Sequence, residues 1–438
     1  MNEISGFSKL GKDEKINWLA SQVGINDQNL IFDLKKFWHQ DENEQKIFDE
    51  FAENTLTNYY LPFGIAPNFL INGKVYSVPM VIEESSVVAA AAKSAKFWLS
   101  RGGFKTRVIS TEKNGQVHFF WKGDREILYN LFESNLKRIE DALYPIAKNM
   151  INRGGGIKNL SILDKTQDIP DYYQLFLTFE TCDAMGANFI NSILEKLANE
   201  FKAIVTEKYP LFSEQLIINM SILSNYTPQS IVKAEVECDI NDFVDDTNSF
   251  TPHEFANRFV SALKIANVDT YRAVTHNKGI FNGIDAVVVA TGNDFRAVEA
   301  CGHAYAARSG KYSSLSNAKI ENNKFHFSLE IPLSVGVVGG LTTLHPIAKS
   351  SLCILGNPHA TELMQIIAAV GLAQNFSAVK SLITTGIQKG HMKMHMINIL
   401  KQLNANEVEI EACKSYFTDK VVSFTEVRNF LQSMRIRQ

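Results

Sequence analysis

Lys278 and Asp294 stand at the two ends of one apolar segment. Lys278 lies in the stretch THNKGIFNG, whose polar residues and glycines predict a turn. Residues 286–290 read as a run of apolar β-formers, and Asp294 closes it inside a Gly-Asn-Asp turn. A lysine held near a carboxylate in a partly dry site can stabilise an oxyanion or form a Schiff base. The same two charges can also be a plain surface ion pair. Glu83 and Glu84 precede a helix start, where an acid serves either the helix dipole or catalysis. His391 and His395 have the i, i+4 spacing of a zinc-binding pair. However, Met392 stands where the H-E-x-x-H motif needs its glutamate, so no metal is expected. Gly390 just before His391 favours a hinge, with His391 as a general acid on a lid. DAMGAN at 183–188 joins a strand to a helix. Gly186 there would admit a ligand close to the backbone, and the helix start favours a phosphate. An ordinary strand-to-helix turn would have the same composition.

The chain that must position these groups has 438 residues, enough for two or three domains. Its formal net charge is −3 and it has no long basic block, which argues against a nucleic-acid partner. Cys182, Cys238, Cys301, Cys353 and Cys413 form no C-x-x-C pair, which fits a reducing cytosol rather than a disulfide framework. The opening MNEISGFSKLGKDEKINWLA carries acids and has no apolar core, so no signal peptide is expected. Two uncharged stretches, 331–348 and 363–379, are interrupted by prolines, glycines or amides and read as protein core, not membrane spans. Residues 9–55 read as helical. NFLINGKVYSVPM reads as a hairpin about Asn72-Gly73, and SSVVAAAAKSAKFWL as a helix. TRVIST and QVHFFWK read as two strands about Asn114-Gly115, followed by a helix over 125–150, a break at RGGG, two strands, and the helix after DAMGAN. That ββαββα order predicts an α+β insertion with an antiparallel sheet. A doubly wound unit is not expected, since no G-x-G-x-x-G follows a strand and no Walker A motif occurs. Asn357-Pro358 starts a long apolar helix over 359–380, and the last fifty or so residues read as a helical, more polar piece.

Together, EN at 53–54, VPMVIEESSVVAAA at 78–91, DAMGAN at 183–188, ILSN at 222–225, YRAVTHNKGIFNGID at 271–285, ATGNDFRAVEACGHAYA at 290–306 and GLAQN at 371–375 fall in a familiar order. In that order the chain resembles the hydroxymethylglutaryl-CoA reductases of the soluble bacterial class II type, from GFSKL at 6–10 to KGHM at 389–392. The resemblance implies an α+β fold with a large mixed α/β substrate domain over 1–110 and 220–385. A small antiparallel-sheet dinucleotide domain, ferredoxin-like and not Rossmann, is inserted at 111–219, and a helical flap follows at 386–438.

The implied activity is reduction of HMG-CoA to mevalonate and CoA by two hydrides from NAD(P)H, in the mevalonate route to isoprenoids. By the resemblance, Glu84, Lys278, Asp294 and His391 are catalytic, with Glu84, Lys278 and Asp294 forming one network. Ser86, Asn225, Arg272, Asn282 and Gln374 serve the hydroxymethylglutaryl group. Asp183, Ala184, Met185, Gly186, Ala187 and Asn188 hold the dinucleotide, with Lys148 and Asn149 nearby. NADH-using relatives carry an acid before the glycine run, and counting back from Gly154 places that position at Ala147. YPIAKNMINRGGG has no acid, and Lys148 and Arg153 add positive charge, so NADPH is expected, with NADH possible. A cytoplasmic homodimer or higher oligomer, with active sites at the subunit interface, is implied. Three positions depart from the family pattern: Thr57 replaces a glycine, Ile397 an arginine and Cys301 a small residue. Two other classes remain open on the residues alone: a Schiff-base aldolase using Lys278, and a CoA-binding protein without turnover.

Overall fold

Short polar helices open the chain: α1 (Lys12–Gln22), α2 (Gln28–Lys36) and α3 (Glu42–Asp49). Asp41 caps α3 by accepting from the Asn43 and Glu44 N–H groups. The computed structural model describes residues 3–22, 28–208, 210–244, 250–384, 386, 396–417, 420 and 422–436. The expected hairpin follows as β1 (Phe63–Ile71) and β2 (Lys74–Val81), in antiparallel register from Phe63↔Val81 to Ile71↔Lys74. Asn72 and Gly73 take φ of 48° and 87°, the two left-handed residues that a tight hairpin turn needs. Tyr76, Val78 and Met80 face the core, where α4 (Val87–Leu99) packs with Val87, Ala91, Ala95 and Trp98.

The main sheet has the order β3-β8-β10-β9, from β3 (Lys105–Val108), β8 (Ile231–Asp239), β9 (Ser316–Glu321) and β10 (Lys324–Pro332). One face of its two central strands is apolar, with Val232, Ala234 and Val236 beside Phe325, Phe327, Leu329 and Ile331. Against that face pack α8 (Pro252–Val268) and α13 (Ala360–Ile383), with α9 (Thr270–Ala290) lying against α13 and β2, α10 (Phe295–Ala306) returning beside α9, and the short α11 (Leu341–Leu344) and α12 (Pro346–Ile354) leading into α13.

The structure corrects one reading here. Residues 270–290 form one helix, so Lys278 sits mid-helix rather than in a turn, and 286–290 is the helix's last stretch rather than a strand. The helix starts at the Asp269 cap, which accepts from the Tyr271 N–H. Ala286, Val287, Val288 and Ala290 are all buried, so no helical stripe marks the run, and burial overrides its β propensity. By length and hydropathy α13 could cross a membrane, yet 67% of its most apolar window is buried inside the protein. It is the central core helix, as the sequence suggested. α9 and α13 approach closely because each offers a glycine. A Cβ on Gly283 would lie 2.8 Å from Gln374 Cβ, and one on Gly371 would lie 2.8 Å from Ile284 Cγ1.

The inserted unit runs β4 (Lys113–Trp121), α5 (Arg125–Ser134), α6 (Leu136–Ile151), β5 (Gly156–Asp164), β6 (Tyr172–Glu180), α7 (Ala187–Lys208) and β7 (Leu216–Leu223). Its sheet order is β5-β6-β4-β7 with every pair antiparallel. This βαββαβ arrangement is ferredoxin-like, but its first strand is not the expected one. β3 pairs with β8 in the main sheet, and Asn114 and Gly115 lie inside β4 rather than in a turn. Gly115 is there for packing, since a Cβ would come within 2.6 Å of Leu194 Cδ1 on α7. The helix expected over 125–150 is broken at Asn135 into α5 and α6. The unit has its own apolar core, built on Phe119, Trp121, Leu175, Phe179, Leu197 and Phe201. A third, small core joins Met396, Leu400, Cys413, Val427 and Leu431 of the C-terminal helices.

Candidate active site

Two residues of α9, Lys278 and Asn282, are one helical turn apart and share a face. Both donate to the same acceptor: Glu84 Oε2 lies 2.9 Å from Lys278 Nζ and 3.1 Å from Asn282 Nδ2. Glu84 is carried on the short link from β2 into α4, and its carbonyl accepts from the Val87 N–H of the first turn. Ser86 is the N-cap of α4 by position but makes no side-chain cap bond, which leaves its hydroxyl to the cleft. Arg272, Thr275 and Gly279 continue the α9 wall, and Gln374, Asn375, Ser377 and Ala378 of α13 form the opposite one. Ser377 Oγ, 2.6 Å from Ser94 Oγ and 2.8 Å from the Ala90 carbonyl, fastens α13 to α4 at the cleft's edge.

The cleft floor holds a chain the sequence reading missed. His276 Nε2 is 2.7 Å from Ser316 Oγ, and Ser316 Oγ donates to Asn375 Oδ1 at 2.8 Å. Because the serine proton goes to Asn375, its oxygen accepts from a protonated His276 Nε2. Burial, helped by the Arg272 charge, pushes the His276 pKa down to about 3, so the ring is neutral with a bare Nδ1. His276 Nδ1, Gln374 Oε1 and Asn375 Nδ2 are buried without a partner among the described residues. These three atoms lie behind the cleft surface, while Ser86, Arg272 and Gln374 line it, a set that fits a ligand rich in hydroxyl and carboxylate oxygens. Burial also lowers the Arg272 pKa, but an arginine stays cationic and can pair with a carboxylate.

Asp294 is elsewhere. It caps α10, with Oδ1 accepting from the Arg296 N–H at 3.1 Å, the Ala297 N–H at 3.3 Å and Arg296 Nε at 3.2 Å. Partial burial pulls its pKa upward, but those donors outweigh it and hold the carboxyl below its usual range. The turn before it is tied to the end of α9 by the Asn293 N–H on the Val288 carbonyl, 2.9 Å. Ten residues of helix, about 15 Å, separate Val288 from Lys278. Within one chain, then, the expected Glu84–Lys278–Asp294 network is not assembled.

Asn225 also lies apart from Lys278, in a second cleft with Lys113, Met185, Ala187, Thr227, Ala297 and Ser334. This cleft borders the DAMGAN turn, which is anchored on both sides. The Asp183 carboxylate accepts from the Ala360 N–H at 2.8 Å and lies 2.8 Å from His359 Nδ1, so it caps α13 from outside the helix. Its carbonyl accepts from the Val337 N–H at 2.8 Å, and Ala184 bridges to Val338. Gly186, at φ 94°, passes so near Thr181 that a Cβ would sit 2.4 Å from its Cγ2. Ala187 and Asn188 open α7 and offer first-turn N–H groups to an anion.

Lys148 and Asn149 are exposed on α6, but Ala147 is only 2% exposed and packs into the inserted unit's core. Position 147 therefore cannot read a ribose, and the count that placed the discriminating residue there is corrected. His391 and His395 lie outside the described residues. Among the described residues no group of three or more His, Cys, Asp or Glu could hold a metal ion.

The sequence pattern of the family described as "Hydroxymethylglutaryl-coenzyme A reductase" matches residues 13–396. A 3-hydroxy-3-methylglutaryl-coenzyme A reductase of Archaeoglobus fulgidus is 35% identical over 415 residues, covering 94% of this chain and 89% of that one. A probable 3-hydroxy-3-methylglutaryl-coenzyme A reductase of Borreliella burgdorferi is 34% identical over 405 residues, covering 92% and 89%. A solved class II enzyme of Streptococcus pneumoniae, bound to NADPH in open conformations, superposes with a TM-score of 0.71 at 33% identity, over 87% of this chain and all of that one.

Proposed function

The chain belongs to the hydroxymethylglutaryl-CoA reductase family, and we propose that its Glu84–Lys278–Asn282 cleft is where the thioester carbonyl of HMG-CoA is reduced. One observation carries this reading. A cation and a carboxylate meet over a cleft that Ser86, Arg272, Gln374 and Asn375 also line. When bound, the reduced nicotinamide dinucleotide supplies a hydride to each of two successive carbonyls.

As the thioester carbon is reduced, negative charge grows on its oxygen, and the Lys278 ammonium is fixed to receive it. The resulting hemithioacetal expels CoA as a thiolate, and His391 gives the sulfur its proton. A second reduction turns the aldehyde into the primary alcohol of mevalonate, with the proton coming from the acid form of Glu84. Arg272, Ser86 and Gln374 hold the hydroxymethylglutaryl end.

Asp294, Asn225 and the DAMGAN turn form the other half of the site. Since Asp294 and Lys278 are far apart in one chain, a complete site draws Asp294 from a second copy, which makes the working unit a two-fold dimer. The dinucleotide is NADPH, as in the S. pneumoniae relative, with Lys148 and Arg153 as the cations beside its phosphate. The domains divide as 1–110 with 224–385 for substrate, 111–223 for dinucleotide and 386–438 for the flap, the expected boundary at 219 moving to the end of β7. All five cysteines are free, the state a reducing cytosol maintains.

Purified protein with HMG-CoA and each reduced nicotinamide, followed by cofactor absorbance, tests the reading. Two equivalents oxidised per HMG-CoA consumed, with NADPH the better donor, are expected. A Schiff base trapped on Lys278 by borohydride, or no oxidation at all, would overturn it.

A further inference from the structure

Thr227 lies two residues past Asn225, on the return from β7 to β8, and it is 3% exposed. It is held from two sides. Its N–H donates to Cys301 Sγ at 3.3 Å, and its Oγ1 lies 3.6 Å from the same sulfur and 2.7 Å from Ser334 Oγ. Burial pushes the Cys301 thiol up by more than the Thr227 donors draw it down, so the sulfur stays neutral and is a weak acceptor. Both partners lead back to Asp294. Cys301 stands seven residues, about two helical turns, beyond the Asp294 cap of α10. Ser334 stands two residues before Gly336, whose N–H donates to Asn293 Oδ1 at 2.8 Å, and Asn293 adjoins Asp294. The loop is also closed on itself. The Tyr226 N–H donates to Ser224 Oγ at 3.1 Å, and the Ser230 N–H donates to the Thr227 carbonyl at 3.0 Å. Asn225 is exposed at the top of this turn. Asn225, Thr227, Ala297 and Ser334 border a space of about 20 Å³, room for about one water, so this seam is packed rather than open.

An exposed side chain two positions from a buried anchor is placed by that anchor. We propose that Thr227 is a positioning residue: clasped by Cys301 and Ser334, it fixes Asn225 relative to Asp294 and so sets how the hydroxymethylglutaryl group is held. The inference rests on the functional reading above, in which Asn225 and Asp294 belong to one half of the site. Cys301 departs from the small residue of the family pattern, and that departure gives the buried Thr227 N–H its acceptor. Without it the N–H would be left unmet, at the full cost of its desolvation.

Thr227→Val keeps the shape and the N–H of the residue and removes its hydroxyl. It should raise the HMG-CoA KM about fivefold, the scale of one hydrogen bond, with kcat and the NADPH KM within about twofold. Thr227→Ser restores the hydroxyl and should bring the HMG-CoA KM back to within about twofold of wild type. Ser334→Ala, a change at the half-buried partner, should repeat the Thr227→Val result and serves if that variant does not fold. In an Asn225→Ala background, Thr227→Val should add less than about twofold, because both changes then act through one lost contact. Hydrogen exchange over residues 224–230 should quicken in Thr227→Val and recover in Thr227→Ser, an arm that needs no activity. An unchanged HMG-CoA KM in both Thr227→Val and Ser334→Ala, a full independent effect on top of Asn225→Ala, or unchanged exchange would overturn the proposal. Wild type that never oxidises NADPH with HMG-CoA would sink the functional reading instead, and exchange alone would then decide the clasp.

Discussion

A one-to-one mixture of Lys278→Ala and Asp294→Asn chains, co-expressed so that subunits assort, should recover activity that neither variant has alone. On the proposed mechanism each single change removes a group that acts on the reacting carbonyl, so each variant alone should lose at least roughly a hundredfold in turnover. The recovery follows from helix geometry. Lys278 lies ten residues before Val288 on α9, and the turn carrying Asp294 is tied to Val288 by a 2.9 Å backbone bond. At 1.5 Å per residue that is about 15 Å along the axis, well beyond the joint reach of a lysine and an aspartate side chain. α10 also runs back along α9, with a Cβ on Gly302 only 2.4 Å from Phe281 Cζ, so its start stays at the far end of α9. A site holding both residues must take them from different chains. Random assortment makes about half the dimers mixed, and each mixed dimer carries one site with both groups intact and one with neither. About one quarter of wild-type activity should return. The assay is NADPH oxidation with HMG-CoA, against the two homodimers and wild type at equal total chain. Activity that stays at the level of the single variants, with mixed dimers confirmed by differential tagging, would refute the split site. So would a fully active monomer in sedimentation.

Gly283→Ala should lower stability by about 1–3 kcal/mol in urea unfolding, the usual cost of overpacking. The new methyl would lie 2.8 Å from Gln374 Cβ and 2.9 Å from the Val370 carbonyl oxygen, and the displaced Gln374 should raise the HMG-CoA KM while the NADPH KM holds. His276 gives a pH signature with a definite sign. Its folded pKa is depressed to about 3 from 6.5, so the unfolded chain binds its proton more readily and stability is lost as pH falls from about 6.5 toward about 3. Between pH 7 and pH 5 wild type should lose about 2 kcal/mol that His276→Asn does not, read from the urea midpoints. Equal losses in the two proteins would show that His276 is not buried neutral. His391→Gln should abolish reduction of HMG-CoA yet spare reduction of free mevaldehyde, since only the thioester step expels a thiolate. Equal loss on both substrates would remove that role.

Which of these features the sequence disclosed depended on how far apart the interacting residues lie along the chain. The acids ahead of α4 and the DAMGAN turn are local patterns, and each was readable with its neighbours, whereas the i, i+4 pairing of Lys278 and Asn282 went unread because their stretch looked like a turn. Asn72-Gly73 was a sound hairpin signal because alternating strands flank it on both sides. Asn114-Gly115 carries the same dipeptide and makes no turn. The strand before it pairs with β8, more than a hundred residues on, and Gly115 answers to Leu194 on α7. Residues 286–290 misled for the opposite reason: a segment buried on all sides carries no period, so valine-rich composition was the only cue left, and it pointed to a strand. The buried polar groups that went unread have partners far along the chain. His276 meets Ser316 forty residues away, Ser316 meets Asn375 fifty-nine away, and Lys113 meets Thr181 sixty-eight away. A buried histidine or lysine is ambiguous in sequence, because only the fold decides whether it is satisfied. Here the fold buries both, His276 with Nδ1 unpartnered among the described residues and Lys113 against Thr181 and the Ala184 carbonyl. The two residues border two different clefts of one chain, one built on α9 and α13 and the other on the DAMGAN turn and the start of α10. On the proposed function, a hydride must pass between a substrate in the first and a dinucleotide at the second. The proposed two-fold dimer would satisfy that requirement by bringing the second cleft of one chain to the first cleft of its partner, without moving either half of the site.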